Sequence, residues 1–154
     1  MSFRIVGLAA DEFAPLHALS DAALKAQGVE RVQVEKANSS PCRTSLDDAE
    51  VGETVLLFNY THQPAATPYF QQGPIFVRET RQRAEFIGSM PPALARRTLS
   101  LRGFNAAHMM VEADLSEGSD AAALIERFFA SSEVAYIHAH YARRGCFAAR
   151  IERA

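Results

Sequence analysis

Cysteine is scarce in this chain. Only Cys42 and Cys146 occur among 154 residues, too few for the disulfide framework of a small secreted domain. Both read as free thiols of a reducing compartment, with a Cys42–Cys146 bridge left open. Long apolar runs are missing as well. No stretch approaches the ~20 apolar residues that span a bilayer. The opening MSFRIVGLAADEF has too short an apolar run, followed too soon by acids, for a signal peptide. The chain is therefore expected in the cytoplasm and off the membrane. The third absence is an excess of positive charge. Sixteen Lys and Arg against eighteen Asp and Glu give a net charge of −2, which provides no overall field for a nucleic acid. The one local basic run, Arg78 to Arg83 continuing to Arg96 and Arg97, is interleaved with Glu79 and Glu85 and reads as a solvated surface.

What is present is ordinary globular composition, 48% hydrophobic and 22% charged, at a length that one domain with one core accommodates. No repeat or domain boundary divides residues 1–154. FRIVGL has strand character. Helical spacing over residues 11–27 sets Phe13, Leu16, Leu19 and Leu24 on an apolar face, with Ser20 capping a second short helix and Gly28 as the stop. Val29, Val32 and Val34 mark an edge strand. Residues 39–53 form a loop in which Ser45 and Asp48 suit a one-turn capped helix. TVLLFNY (54–60) is apolar on both faces, the pattern of a strand inside a sheet. Residues 61–73 read as one long loop, a length uncommon in compact domains unless functional or mobile.

Strand character resumes from Pro74 to Glu79 and again in TLSLRGF (98–104), with a brief proline-started helix from Ala93 to Arg97 between them. His108 to Leu115 alternates, which predicts Met109, Val111, Ala113 and Leu115 on a core face. A helix runs from Ser119 to about Ser131 on the stripe Ala122, Ile125, Phe128 and Phe129. The last 21 residues read as a hairpin around Arg-Arg-Gly. The fold class is α+β: a mainly antiparallel mixed sheet, two principal helices (about 11–27 and 119–131) and a C-terminal β-hairpin.

Alternation in that hairpin assigns Ile137, Ala139, Phe147, Ala149 and Ile151 to the core. It leaves His138, His140, Cys146 and Arg150 on the other face, with Ser100 and Arg102 turned the same way. Such a face is either simply wet or the floor of a polar pocket. His138 and His140 share a side at metal-ligand spacing, but no third-ligand motif accompanies them and no metal is assigned. Cys42 stands in a loop beside Arg43 and ahead of a possible helix start, features that favour a thiolate; the plain alternative is a buried, inert cysteine. Tyr60, His62 and Tyr69 flank the 61–73 loop and suit an aromatic wall, or the closing end of a core. Gly73-Pro74 allows close backbone approach at the strand entry, or merely shapes a turn.

Taken in order, the chain carries Pro41-Cys42-Arg43, Gly52-Glu53 ahead of a strand, Pro68-Tyr69 and Gly73-Pro74-Ile75-Phe76. Arg102-Gly103-Phe104, Ala135-Tyr136-Ile137-His138 and Gly145-Cys146-Phe147 follow. With these it resembles, over nearly its whole length, a bacterial family catalogued as domain of unknown function 1203. The resemblance implies a bacterial single-domain protein and names neither substrate nor cofactor. In the family's pattern a second cysteine gives Cys-x-x-Cys where this chain has Cys42-Arg43-Thr44-Ser45, which weakens a redox or zinc reading. The pattern also favours arginine at His140. The matching positions Cys42, Arg43, Tyr69, Gly73, Pro74, Arg102, His138 and Cys146 lie on different elements, as they would around one pocket or as folding determinants.

The leading expectation is a pocket for a small anionic ligand where the 39–53 and 61–73 loops meet the polar sheet face. Arg43 and Arg102 would hold the anion, Tyr60 and Tyr69 would pack on its body, and His138 would transfer a proton. The enzymatic version makes Cys42 the nucleophile of a transferase or hydrolase with His138 or His62 as base. A third reading is a protein-interaction module or homodimer using the edge strand or the final hairpin.

Overall fold

A computed structural model of the chain describes residues 2–154. The strands are β1 (Phe3–Val6), β2 (Glu30–Gln33), β3 (Thr54–Gln63), β4 (Gln71–Arg78), β5 (Glu85–Ile87), β6 (Thr98–Phe104), β7 (Met110–Glu117), β8 (Tyr136–Tyr141) and β9 (Phe147–Arg153). The helices are α1 (Ala10–His17), α2 (Asp21–Ala26), α3 (Pro92–Ala95) and α4 (Ala121–Phe129). The fold is α+β and mainly sheet, as the sequence predicts. Two sheets form where one was expected: a six-stranded sheet in the order β5-β1-β9-β8-β6-β7 and a three-stranded sheet β2-β3-β4. Pairing within both is antiparallel, and the parallel element is an isolated bridge between Cys42 and Phe76. No described helix is long and apolar enough to cross a membrane.

The main core lies between the six-stranded sheet and α3 and α4. Ile5, Leu99, Leu101, Ile137 and Ile151 meet Leu94, Ile125, Phe128 and Phe129 there, all essentially without solvent. Each of those large side chains contributes about 1.5–3 kcal/mol by leaving water. A second core joins α1 and α2 to the three-stranded sheet through Phe13, Leu24, Leu56, Phe58, Ile75 and Val77. The 11–27 region is thus two short helices, and Ser20 caps the second by accepting from the Ala23 amide at 3.2 Å.

β3 is central in its sheet, as its two-sided apolarity predicts, while β2 is an edge. Several local expectations fail for identifiable reasons. The 61–73 segment is strand at both ends and loop only between them: β3 runs on to Gln63, β4 begins at Gln71, and Gly73-Pro74 sits inside β4 opposite Tyr60 and Asn59. No helix forms at 45–48. Leu46 instead adopts φ +56° in a tight turn and buries its side chain in the main core, which holds an otherwise costly conformation in place. β7 is an exposed edge: Ala113 and Leu115 lie across from Arg102 and Ser100, and Asp114 reaches Arg127 at 2.8 Å. Only Val111 of the expected apolar face packs on the core, because Ala113 and Leu115 share the sheet face of Arg102 and Ser100, away from α4, and at the edge that face is left uncovered. The final hairpin occupies the middle of the six-stranded sheet, so it offers no edge for pairing with a partner.

Two glycines let main chains touch. A Cβ on Gly118 would stand 1.8 Å from the Leu94 carbonyl oxygen, and one on Gly7 would stand 2.0 Å from that of Thr44. Backbone on both sides must part to admit it. Gly118→Ala is expected to cost about 3 kcal/mol in urea denaturation, whereas Gly73→Ala, with nothing within 4 Å, should change stability by less than about 1 kcal/mol.

Candidate functional site

The second face of the six-stranded sheet is not wet where β8 crosses it. His138 and His140 are buried, because the far end of β3 lies over them. An extra residue decides what they meet. Ala139 pairs with Ala149 but His140 pairs with Phe147, so Ala148 is a bulge and enters the main core. Simple alternation therefore fails at β9, and Phe147 joins the histidines instead of the helix side. His62 stacks on Phe147 with centroids 4.9 Å apart and planes 7° from parallel, and lies 5.0 Å from His140 and 6.0 Å from His138. Tyr60 touches Phe147 as well, while Tyr69 packs edge-on to Phe104, which contacts Tyr136 and His138. The expected aromatic wall is an interior seam joining two sheets.

Polar contacts in the seam are few. Gln71 Oε1 accepts from Arg102 Nη1 at 3.2 Å and meets His62 Nε2 at 3.1 Å. The Arg102 Nε donates to Ser100 at 3.3 Å, and His140 Nδ1 donates to the Gly145 carbonyl at 2.9 Å. Nδ1 of His62 and of His138 has no hydrogen-bond partner among the described residues. No group of His, Cys, Asp and Glu among the described residues is arranged to hold a metal. Burial first, then neighbouring histidines and arginines, pushes His138 down to about 3; burial again, with Arg102, takes His140 to about 3, and burial lowers His62 as well.

Cys42 is fully buried, and its sulfur accepts from the amides of Arg78 at 3.3 Å and Ser45 at 3.5 Å. No hydrogen bond joins it to His138 or His62, and the helix N-terminus expected beside it is absent. Cys42 and Cys146 are both free thiols.

Arg43 lies elsewhere than Arg102, on the wall of a cavity of about 470 Å³ shared with Pro41, Phe76, Tyr141, Arg143, Arg144 and Cys146. It is 2% exposed. Its Nε donates to the Phe147 carbonyl at 2.7 Å and Nη1 to that of Pro41. Among the described residues no carboxylate comes within ion-pair distance of Arg43, Arg143 or Arg144. Burial lowers the Arg43 pKa, the mark of a cation removed from water without a counter-ion. Arg96 and Arg97 also reach the cavity, but Asp48 takes both: Arg97 in a two-point bond at 2.6 and 3.0 Å, and Arg96 at 2.9 Å. Arg97 is thus no solvated surface residue, nor is Arg78, which pairs with Glu53. Tyr141 is held between the guanidiniums of Arg43 and Arg97, 5.0 and 5.1 Å from its ring centre. Its hydroxyl is buried and has no hydrogen-bond partner. Burial raises its pKa to about 12, so it remains a donor at neutral pH. A second depression, of about 540 Å³, is lined by Arg4, Glu85, Arg150 and Glu152, whose charges pair with one another.

The sequence assigns Arg43 to an anion-binding pocket and gives Tyr141, Arg96, Arg97, Arg143 and Arg144 no part in one, although all six line this cavity. Charge pairing between Asp47-Asp48 and Arg96-Arg97 was a usable signal. The paired arginines of the hairpin turn were another.

A family model described as protein of unknown function (DUF1203) matches residues 39–153. The chain belongs to that family. No curated protein and no solved structure matches the chain. The DUF1203 match opens at the loop that carries Arg43, so apart from Asn38 the whole cavity wall lies inside it.

The buried histidines make a testable demand on stability. With native values near 3 against an ordinary 6.5, the unfolded chain binds protons first as pH falls below 6.5. Stability should be level above that pH and fall below it, by about 1.4 kcal/mol per pH unit for each histidine. Urea midpoints should show about 4 kcal/mol lost between pH 7.5 and pH 5, and His140→Gln should remove about half of that pH dependence.

Proposed function

We propose that this protein binds a small anionic molecule in the Arg43 cavity. The observation that carries the reading is a guanidinium 2% exposed to solvent, with no carboxylate partner, on the wall of a cavity of about 470 Å³. Taking such a charge out of water is costly, and an anionic ligand repays that cost by charge-assisted hydrogen bonds. Arg143 and Arg144 carry two further exposed cations on the β8–β9 turn. Phe76 and Pro41 supply an apolar wall for the ligand's body. The volume is in the range of small-molecule sites, roughly 300–1,000 Å³. The site keeps the anionic ligand expected from Arg43 but moves it: its walls are the 39–53 loop, the start of β6 and the turn between β8 and β9. Arg102, Tyr60, His62, Tyr69, Gly73, Pro74 and His138 then serve the seam behind it.

Thermal unfolding with inorganic phosphate or citrate tests the reading. Either anion should raise the melting temperature more than potassium chloride of equal ionic strength. Arg143→Gln with Arg144→Gln should weaken the fitted affinity by about tenfold or more, equivalent to about 1.4 kcal/mol. Equal responses to phosphate, citrate and chloride would remove the proposal.

A further inference from the structure

The cavity wall includes one cysteine, Cys146. Unlike Cys42, it is partly exposed. The main chain around it is held on both sides: the Tyr141 amide donates to the Cys146 carbonyl at 2.9 Å, and the Gly145 amide donates to the Tyr141 carbonyl at 2.7 Å. His140 fastens the same turn through the Gly145 carbonyl at 2.9 Å. The main chain that carries the thiol is therefore fixed on a wall that also carries Arg43, Arg143 and Arg144. The same wall holds Tyr141, a residue 6% exposed whose hydroxyl has no hydrogen-bond partner among the described residues.

We propose that Cys146 is the reactive group of the cavity and that it undergoes thiol–disulfide exchange with small disulfides bearing carboxylates. The inference rests on the anion-binding reading, since the arginines concentrate the reagent at the thiol. The Cys146 thiol gives its proton to solvent, and its sulfur attacks the nearer sulfur of the incoming disulfide. A Cys146–S–S–R bond forms, the reagent's own S–S bond breaks, and the departing thiolate leaves with the electron pair. One disulfide is consumed and one is made, so no further oxidant is needed. Cys42, the other cysteine of the chain, is buried with its sulfur facing the Arg78 and Ser45 amides. It is not on the cavity wall to resolve the product. The mixed disulfide therefore has no internal thiol to resolve it, fills the anion site until an external thiol attacks it and releases the Cys146 thiolate, and makes the exchange a redox-controlled block on ligand binding.

The test compares two chromogenic disulfides, the dianionic dithiobis(nitrobenzoate) and the neutral dithiodipyridine, with the labelled residue located by peptide mass. The ratio of their rates cancels the thiolate fraction common to both. On the native chain the anionic-to-neutral ratio should exceed that of the urea-unfolded chain by about tenfold or more, with label on Cys146. Arg143→Gln with Arg144→Gln should return it to within about twofold of the unfolded value, and phosphate should slow labelling. A native ratio equal to the unfolded one, or label on Cys42, overturns the inference. If phosphate still raises the melting temperature in that case, the anion site stands and only the thiol chemistry falls; if it does not, both fall.

Discussion

The rest of the structure depends on one buried cation. Arg43 ties four parts of the chain together: its amide donates to the Phe76 carbonyl of β4 at 3.0 Å, and its carbonyl accepts from the Leu8 amide after β1 at 2.9 Å. Its guanidinium grips the Phe147 carbonyl of β9 and the Pro41 carbonyl of its own loop. Both sheets and the 39–53 loop thus meet at a side chain whose hydrogen bonds are made to neutral carbonyls. Carbonyls satisfy donors but leave the charge unbalanced. A fully buried cation is tolerated only with strong compensation, and here the carbonyls and the Tyr141 ring share that task beside an open cavity.

The second organising feature is the seam between the sheets. Its members are aromatic rings and neutral imidazoles, with Arg102 and Gln71 at the border. No carboxylate is among the groups that perturb His138 or His140, so a proton arriving there would find only cations and neutral rings. That keeps the histidines uncharged and makes them packing groups. It also separates the seam, which joins the sheets, from the cavity, which collects cations at the edge of the same strands. His140 is the link, because its ring in the seam fastens the turn that carries Arg144 and Cys146.

Several positions that carry the family resemblance have structural work to do. Cys42 and Pro41 make the bridges that attach the loop to β4 and to Asp48. Gly73 and Pro74 sit in β4, where a proline without an amide suits a flank of the sheet that lacks a regular strand partner. Phe104 and His138 pack in the seam. Pro41, Arg43, Phe76 and Cys146 also line the cavity.

Much of the architecture was legible in local patterns. The two-sided apolarity of TVLLFNY marked β3 as interior, the Ser20 cap marked the break between α1 and α2, and the Ile125, Phe128 and Phe129 stripe marked the core face of α4. Those signals are short-range, since burial period and capping act within one element. The loop at 39–53 and its Arg43 were also visible as chemistry, though without a partner. Tertiary structure decided the rest. The Ala148 bulge turned Phe147 from the core to the seam, an edge position exposed Leu115 despite its alternation, and the strand order β8-β6 brought the Arg143-Arg144 turn beside Arg96, Arg97 and the Arg43 loop. Each of these depends on which distant segment lies alongside, and a charge's environment is set by neighbours in space, so the arginine-lined cavity emerged only from the folded chain.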